Sequence, residues 1–231
     1  MKIKIISGIA VLALVGGVAF LYITRPLAQP TVEIESATEH LSDILANQKG
    51  DLALFRIVPK NSYVEFHINE VLRGSDFIAV GKTDQVTGEL AVNFNDISKS
   101  QIGTVSVNAR TFKTDDSRRD GVIGRAILRS EDSANEFIKF IPTSLKIDAG
   151  PVMLNKEFDS EISGDLVIAG IVRPVSFSGK VSFLSESILN GYMQALVKRS
   201  DFNLIIPQVP FVASVGDIVT LKINFSAERF N

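Results

Sequence analysis

Val219-Thr220-Leu221-Lys222-Ile223-Asn224-Phe225-Ser226-Ala227-Glu228 alternates an apolar residue with a polar one along its whole length. Successive side chains of an extended strand point to opposite faces, so this stretch has one greasy face and one wet face. The same beat returns in Val86, Gly88, Leu90, Val92 and Phe94, and again in Phe158, Ser160, Ile162, Gly164, Leu166 and Ile168. A chain built this way is an antiparallel sheet rolled around an apolar interior.

Strands are expected near Leu54 to Val58, Tyr63 to Asn69, Phe77 to Lys82, Val86 to Asn95 and Ile102 to Thr111. Five more are expected near Phe137 to Asp148, Phe158 to Ile168, Val175 to Leu184, Gly191 to Lys198 and Ile218 to Glu228. Some of these merge, and about eight strands close a small barrel that either fills itself or holds one ligand. One segment breaks the rhythm. Ser117-Arg118-Arg119-Asp120 has the form of a capping box, and Val122, Ile123, Ala126 and Ile127 follow at helical spacing. Gly121 and Gly124 weaken that helix by about 1 kcal/mol each, so it is short and placed to plug or gate one end of the barrel.

The N-terminus is different material. Ile5 to Ile23 carries no charged residue, and a helix of that length approaches the roughly 30 Å hydrocarbon core of a bilayer. Lys2 and Lys4 precede the run, which places the short N-terminus in the cytoplasm and exports the remainder. Residues 1–26 are therefore expected to be a transmembrane anchor, with Pro26-Leu27-Ala28 a poor match to a signal cleavage site. This implies an exported domain held at the membrane by its N-terminal helix. Residues 27–50 read as a tether in which Ile34, Leu41, Ile44 and Leu45 fall at helical spacing, and residues 51–231 as one domain. The first reading of the tether is a spacer that lifts the domain off the membrane; the second, a helix lying against the bilayer surface, ranks below it because that face carries Glu35, Glu39 and Asp43.

The chain has no cysteine, which excludes disulfides and lipoprotein acylation. Its net charge of −2, with both signs interspersed, provides no basic field for a phosphate backbone, so nucleic acid is not an expected partner. His40 and His67 are too unlike in setting to share a metal, and nothing points to a cofactor. Gly81-Lys82-Thr83 imitates the tail of a phosphate-binding loop, but the first glycine of that loop is replaced by Asp76 and a strand follows instead of a helix. Asn224-Phe225-Ser226 matches a glycosylation acceptor but lies inside a strand. No G-x-S-x-G elbow occurs. The polar cluster from Lys113 to Asp120 reads first as a solvated loop with a helix cap. Its second reading is contact with the polar head of a ligand, through Arg119 and Asp120.

Ser62-Tyr63-Val64-Glu65-Phe66, Val86-Thr87-Gly88, Arg119-Asp120, Gly164-x-Leu166-x-Ile168-x-Gly170 with Pro174-Val175, and Arg199-x-Asp201-Phe202 together resemble the YceI-like family, from about Leu54 to Arg229. The resemblance implies a lipocalin-like, eight-stranded antiparallel barrel that encloses an apolar tunnel and binds isoprenoid lipids or related amphiphiles. The sequence departs from the family pattern at Leu90, where an aromatic is expected, and at Arg119, where many members place histidine.

The apolar faces nominate Phe66, Ile68, Leu90, Val92, Val105, Val107, Leu166, Ile168, Phe177, Leu221 and Ile223 as tunnel residues. The resulting expectation is a membrane-tethered, non-enzymatic carrier or reservoir for an amphiphilic lipid. Two alternatives stand beside it: a filled barrel serving as an interaction module, and an enzyme acting on a lipid head group through Asp115, Asp116 and Asp120.

Overall fold

In a computed structural model of the chain, the structure describes residues 27–37, 41, 52–207 and 212–230. The expected anchor lies outside these residues, as do Ile44 and Leu45 of the tether. Among the described residues no helix is long and apolar enough to cross a membrane.

Among the described residues, all strands belong to one curled antiparallel sheet of twelve segments. They are β1 (Leu52–Ile57), β2 (Tyr63–Leu72), β3 (Ser75–Thr83), β4 (Val86–Thr87), β5 (Glu89–Asn93), β6 (Gln101–Ile102), β7 (Val105–Asn108), β8 (Phe137–Ile147), β9 (Glu157–Ile168), β10 (Ile171–Ser185), β11 (Ile188–Lys198) and β12 (Val212–Arg229). Each expected strand is present, but short breaks raise the count above eight. A turn at Pro59–Asn61 divides β1 from β2, and both halves pair with β12. Gly88 divides β4 from β5, opposite the Gly103-Thr104 break between β6 and β7. The register slips by one residue there, as at a β-bulge.

The ladder runs from β4 through β7, β8, β9, β10, β11, β12 and β1 to β5, so its two ends meet at Gly88. β3 pairs along its length only with β2, apart from a single bridge between Lys82 and Lys113. The helical segment meets that side through Arg119, which approaches Phe77 of β3.

Two tight turns set register. Arg73 and Gly74 have φ of 52° and 83°, and Ala169 and Gly170 have φ of 49° and 79°. Positive φ at both central residues gives the hairpin turn whose twist matches the strands, and Gly adopts it without strain. The Gly164-x-Leu166-x-Ile168-x-Gly170 pattern thus has a local cause: Gly170 makes the turn, and a Cβ on Gly164 would strike the backbone of Ile141 and Pro142 in β8.

The segment from residue 117 departs from expectation in its cap. Asp116, not Ser117, is the N-cap; its carboxylate accepts from the Arg118 amide, and α1 spans Ser117–Val122. Asp120 does not reach back to Ser117, because its carboxylate accepts instead from the Thr114 amide at 2.7 Å and the Thr114 hydroxyl at 2.8 Å. After α1 the chain widens into a π-helical turn, Ile123–Ile127. Leu27 packs so closely there that a Cβ on Gly124 would lie 2.8 Å from its Cδ2.

The described part of the tether lies on the sheet as a strap rather than standing off it. Ile34 sits in a 3-10 turn, Ile34–Ala37, not a regular helix, and both Ile34 and Leu41 are buried. The strap covers outward positions of β4, β5 and β7, which explains why Thr87, Glu89, Ala91, Ser106 and Asn108 are buried on the face expected to be wet. Two carboxylates hold it down. Glu89 accepts from the Leu41 amide at 2.8 Å and pairs with Arg56 at 2.7 Å. Glu136 accepts from the Thr31 amide at 2.8 Å and the Thr31 hydroxyl at 2.6 Å.

Close approach across strands also matters inside. Phe66 faces Gly81 on β3, and Phe225 faces Gly191 on β11, each ring lying where a Cβ would be. Gly81→Ala will push the Phe66 ring into the sheet interior and cost about 1 kcal/mol, read as a fall in the denaturation midpoint.

Candidate ligand cavity and its mouth

The curled sheet is hollow. A cavity of about 970 Å³ runs through it, near the upper end of the roughly 300–1,000 Å³ common for small-molecule sites. Every position nominated from the alternation lines it: Phe66, Ile68, Leu90, Val92, Val105, Val107, Leu166, Ile168, Phe177, Leu221 and Ile223. Many of these are only half-buried although they point inward, because the hollow leaves their inner faces uncovered.

The files that make the wall follow from strand geometry. β2 contributes Val64, Phe66 and Ile68, and β12 contributes Val219, Leu221, Ile223 and Phe225. On β8 the parity changes midway: Ile138 and Phe140 line the cavity before Pro142, and Leu145 and Ile147 line it afterwards. The cause is a bulge between Pro142 and Ser144, where proline has no N–H to give the ladder. Alternation alone missed this wall, and Pro142 inside the strand was the signal for it. Also missed were Phe112, Val181, Phe183, Met193 and Phe202, whose apolar environment depends on which strands meet.

One end is floored by aromatic rings. Phe183 packs against Phe55 and Phe94 with ring centroids 6.1 and 5.6 Å apart, and Phe55 and Phe94 are 6.3 Å apart. The other end is polar. Leu72, Arg73 and Asp76 at the β2–β3 turn line it, together with Glu70, Asp116, Arg118 and Arg119. The apolar stripe of the helical segment completes the wall through Val122, Ile123 and Ile127.

Of the two nominated head-group residues, only Arg119 reaches the cavity. Its guanidinium lies 5.2 Å from the centroid of the Phe77 ring, pairs with Asp115, and stands 3.5 Å from Glu70 Oε2. Asp120 is buried behind it and holds the Thr114 loop, as described above. Glu70 was not foreseen, yet it continues the inward file Val64, Phe66, Ile68 in phase, a charge where the beat calls for a hydrophobe.

The acidic residues between 115 and 120 are occupied as scaffolding. Hydrogen bonds from the Arg118 side chain and amide hold the Asp116 carboxyl down to about 2, so it stays ionised and has no proton to give at neutral pH. His67 pairs with Glu65 at 3.0 Å, and Lys82 stands 3.5 Å from the same carboxylate. Among the described residues no group of three or more His, Cys, Asp or Glu side chains is arranged to hold a metal.

The fold has solved counterparts. A polyisoprenoid binding domain from Saccharophagus degradans, implicated in plant cell wall breakdown, superposes with a TM-score of 0.60 at 11% identity, covering 78% of this chain and 100% of that one. BcnA of Burkholderia cenocepacia superposes with a TM-score of 0.56 at 13% identity, covering 74% of this chain and 98% of that one. No curated protein sequence matches the chain. The profile of the YceI-like domain matches residues 55–227. With that match spanning most of its length, and with the hollow antiparallel sheet in place, the chain belongs to the YceI-like family.

Proposed function

We propose that this protein binds an isoprenoid-type or related amphiphilic lipid, tail in the cavity and head at the polar end, and serves as a carrier or reservoir beside a membrane. The observation that carries the reading is the apolar hollow of about 970 Å³, floored at one end and polar at the other. A solved structural counterpart described as a polyisoprenoid binding domain supports it. Joining β1 with β2, β3 with β4 and β5, and β6 with β7 leaves eight runs of the twelve segments, and we read the sheet as an eight-stranded lipocalin-like barrel. The hollow argues against the filled module, in which inward side chains meet across the centre. The engaged carboxylates of the 115–120 loop argue against chemistry on the head group.

Energetics favour exchange over storage. Each methylene gains about 0.8 kcal/mol on leaving water, but a lipid comes from a bilayer whose tails are as apolar as this wall. Transfer from membrane to cavity is therefore nearly neutral for the tail, and the lipid leaves as readily as it enters. The uncharged run from Ile5 to Ile23 supports an anchored, periplasmic setting, in which the tether raises the local concentration of both partners.

Organic extraction and mass spectrometry of protein purified from its own host test the reading. About one equivalent of an amphiphile per chain is expected. A ligand-free protein that also refuses added isoprenoids would overturn it.

A further inference from the structure

We propose that Glu70 and Arg119 form a head-group site that selects a hydroxyl over a phosphate or an ammonium; this rests on the amphiphile reading above. Glu70 is nine-tenths buried, and its Oε2 is the one buried side-chain oxygen or nitrogen among the described residues that has no hydrogen-bond partner. Both residues line the cavity, with Arg119 Nη2 standing 3.5 Å from that oxygen, too far for a good hydrogen bond. The Arg119 charge offsets only part of the desolvation cost of an oxygen left without a hydrogen bond, and an arriving donor relieves the rest.

The pair sets two requirements. The atom that fills the site must donate to Glu70 and accept from Arg119. A hydroxyl does both. An ammonium has no acceptor and meets the Arg119 cation, while an ionised phosphate has no donor and meets the Glu70 anion. Two other cations that line the cavity are already engaged, which weakens the phosphate case further: Arg118 is bound by Asp116 at 2.8 Å, and Arg199 donates to the carbonyls of Gly216 and Leu204.

The test uses probes with one tail and different heads, namely geranylgeraniol, its methyl ether and geranylgeranyl phosphate, titrated into the full chain in detergent. The alcohol is expected to bind about tenfold or more tighter than the ether, since a hydrogen bond to a charged group is at stake, and tighter than the phosphate. Glu70→Leu, which continues the apolar file of β2, is expected to bind alcohol and ether equally. Equal affinity of the wild type for alcohol and ether, tightest binding of the phosphate, or an unchanged preference in the Glu70→Leu variant would each overturn the head-group site and leave the amphiphile reading standing. Failure of all three probes to bind would overturn both.

Discussion

Arg110→Ala will cost about 3–5 kcal/mol of folding stability, because it leaves the Glu136 carboxylate buried without its cation. Both side chains are almost fully covered, at 4% and 1% exposure, and their nitrogen and oxygen are 2.9 Å apart. The guanidinium also donates to the carbonyls of Ser130 at 2.7 Å, Gln29 at 2.9 Å and Glu131 at 3.2 Å. Asn108 donates to Glu136 at 3.2 Å, and Thr31 supplies the remaining donors. This node joins the strap, the helical segment and β7, which are distant in sequence. Loss of its centre is expected to lower the melting temperature by roughly 6–20 °C for a domain of this size. A melting temperature within a degree or two of wild type would show that the node is idle.

The same node sets an acid limit. Burial alone raises the Glu136 carboxyl, but the Thr31 hydroxyl and amide, the Arg110 charge and the Asn108 amide outweigh it and hold the group below its ordinary value of 4.5. A carboxylate lowered by folding contributes stability that is fully present above its unfolded value. That contribution is lost as pH falls below about 4.5 and through the lowered folded value. Glu136→Gln is expected to be less stable than wild type at pH 7 and to lose less between pH 5 and 3, as followed by denaturation midpoints. Parallel acid profiles would refute the linkage.

The second large effect concerns binding. Ile162→Trp with Val181→Trp will fill the hollow between β9 and β10, where both side chains line the cavity and are only half-buried. Two indoles that displace about four methylenes of a bound tail remove about 3 kcal/mol, a loss of more than a hundredfold in affinity. Stability should hold, because the new rings occupy space that is open rather than packed. The double variant is expected to come through purification without the lipid that wild type retains, with an unchanged circular dichroism spectrum. Equal lipid content in the two proteins would mean that the tail lies elsewhere.

The strand sequence already contained the lining. Phe66, Leu90, Leu166, Leu221 and Ile223 line the cavity because a two-residue period leaves a strand only two faces, and long apolar files belong inside. The same rule carried information about Glu70 that was easy to pass over: in phase with Val64, Phe66 and Ile68, it had to point inward.

The rule fails wherever a strand adds a residue or a second layer covers it. At Pro142 a bulge moves the inward file of β8 from even to odd positions, which no periodic count across the strand follows. On β4, β5 and β7 the outward face is buried because residues 27–37 and Leu41 return to lie on it, through Thr31–Glu136 contacts that span 105 positions of sequence. By itself the sequence determined the alternating faces, the turns and the apolar character of the interior, since these depend on neighbours one to four residues apart. The tertiary structure alone decided that the interior is hollow, that the described part of the tether is strapped down, and that a buried carboxylate oxygen without a hydrogen-bond partner stands beside Arg119. Each of those depends on the distance between segments that only folding brings together.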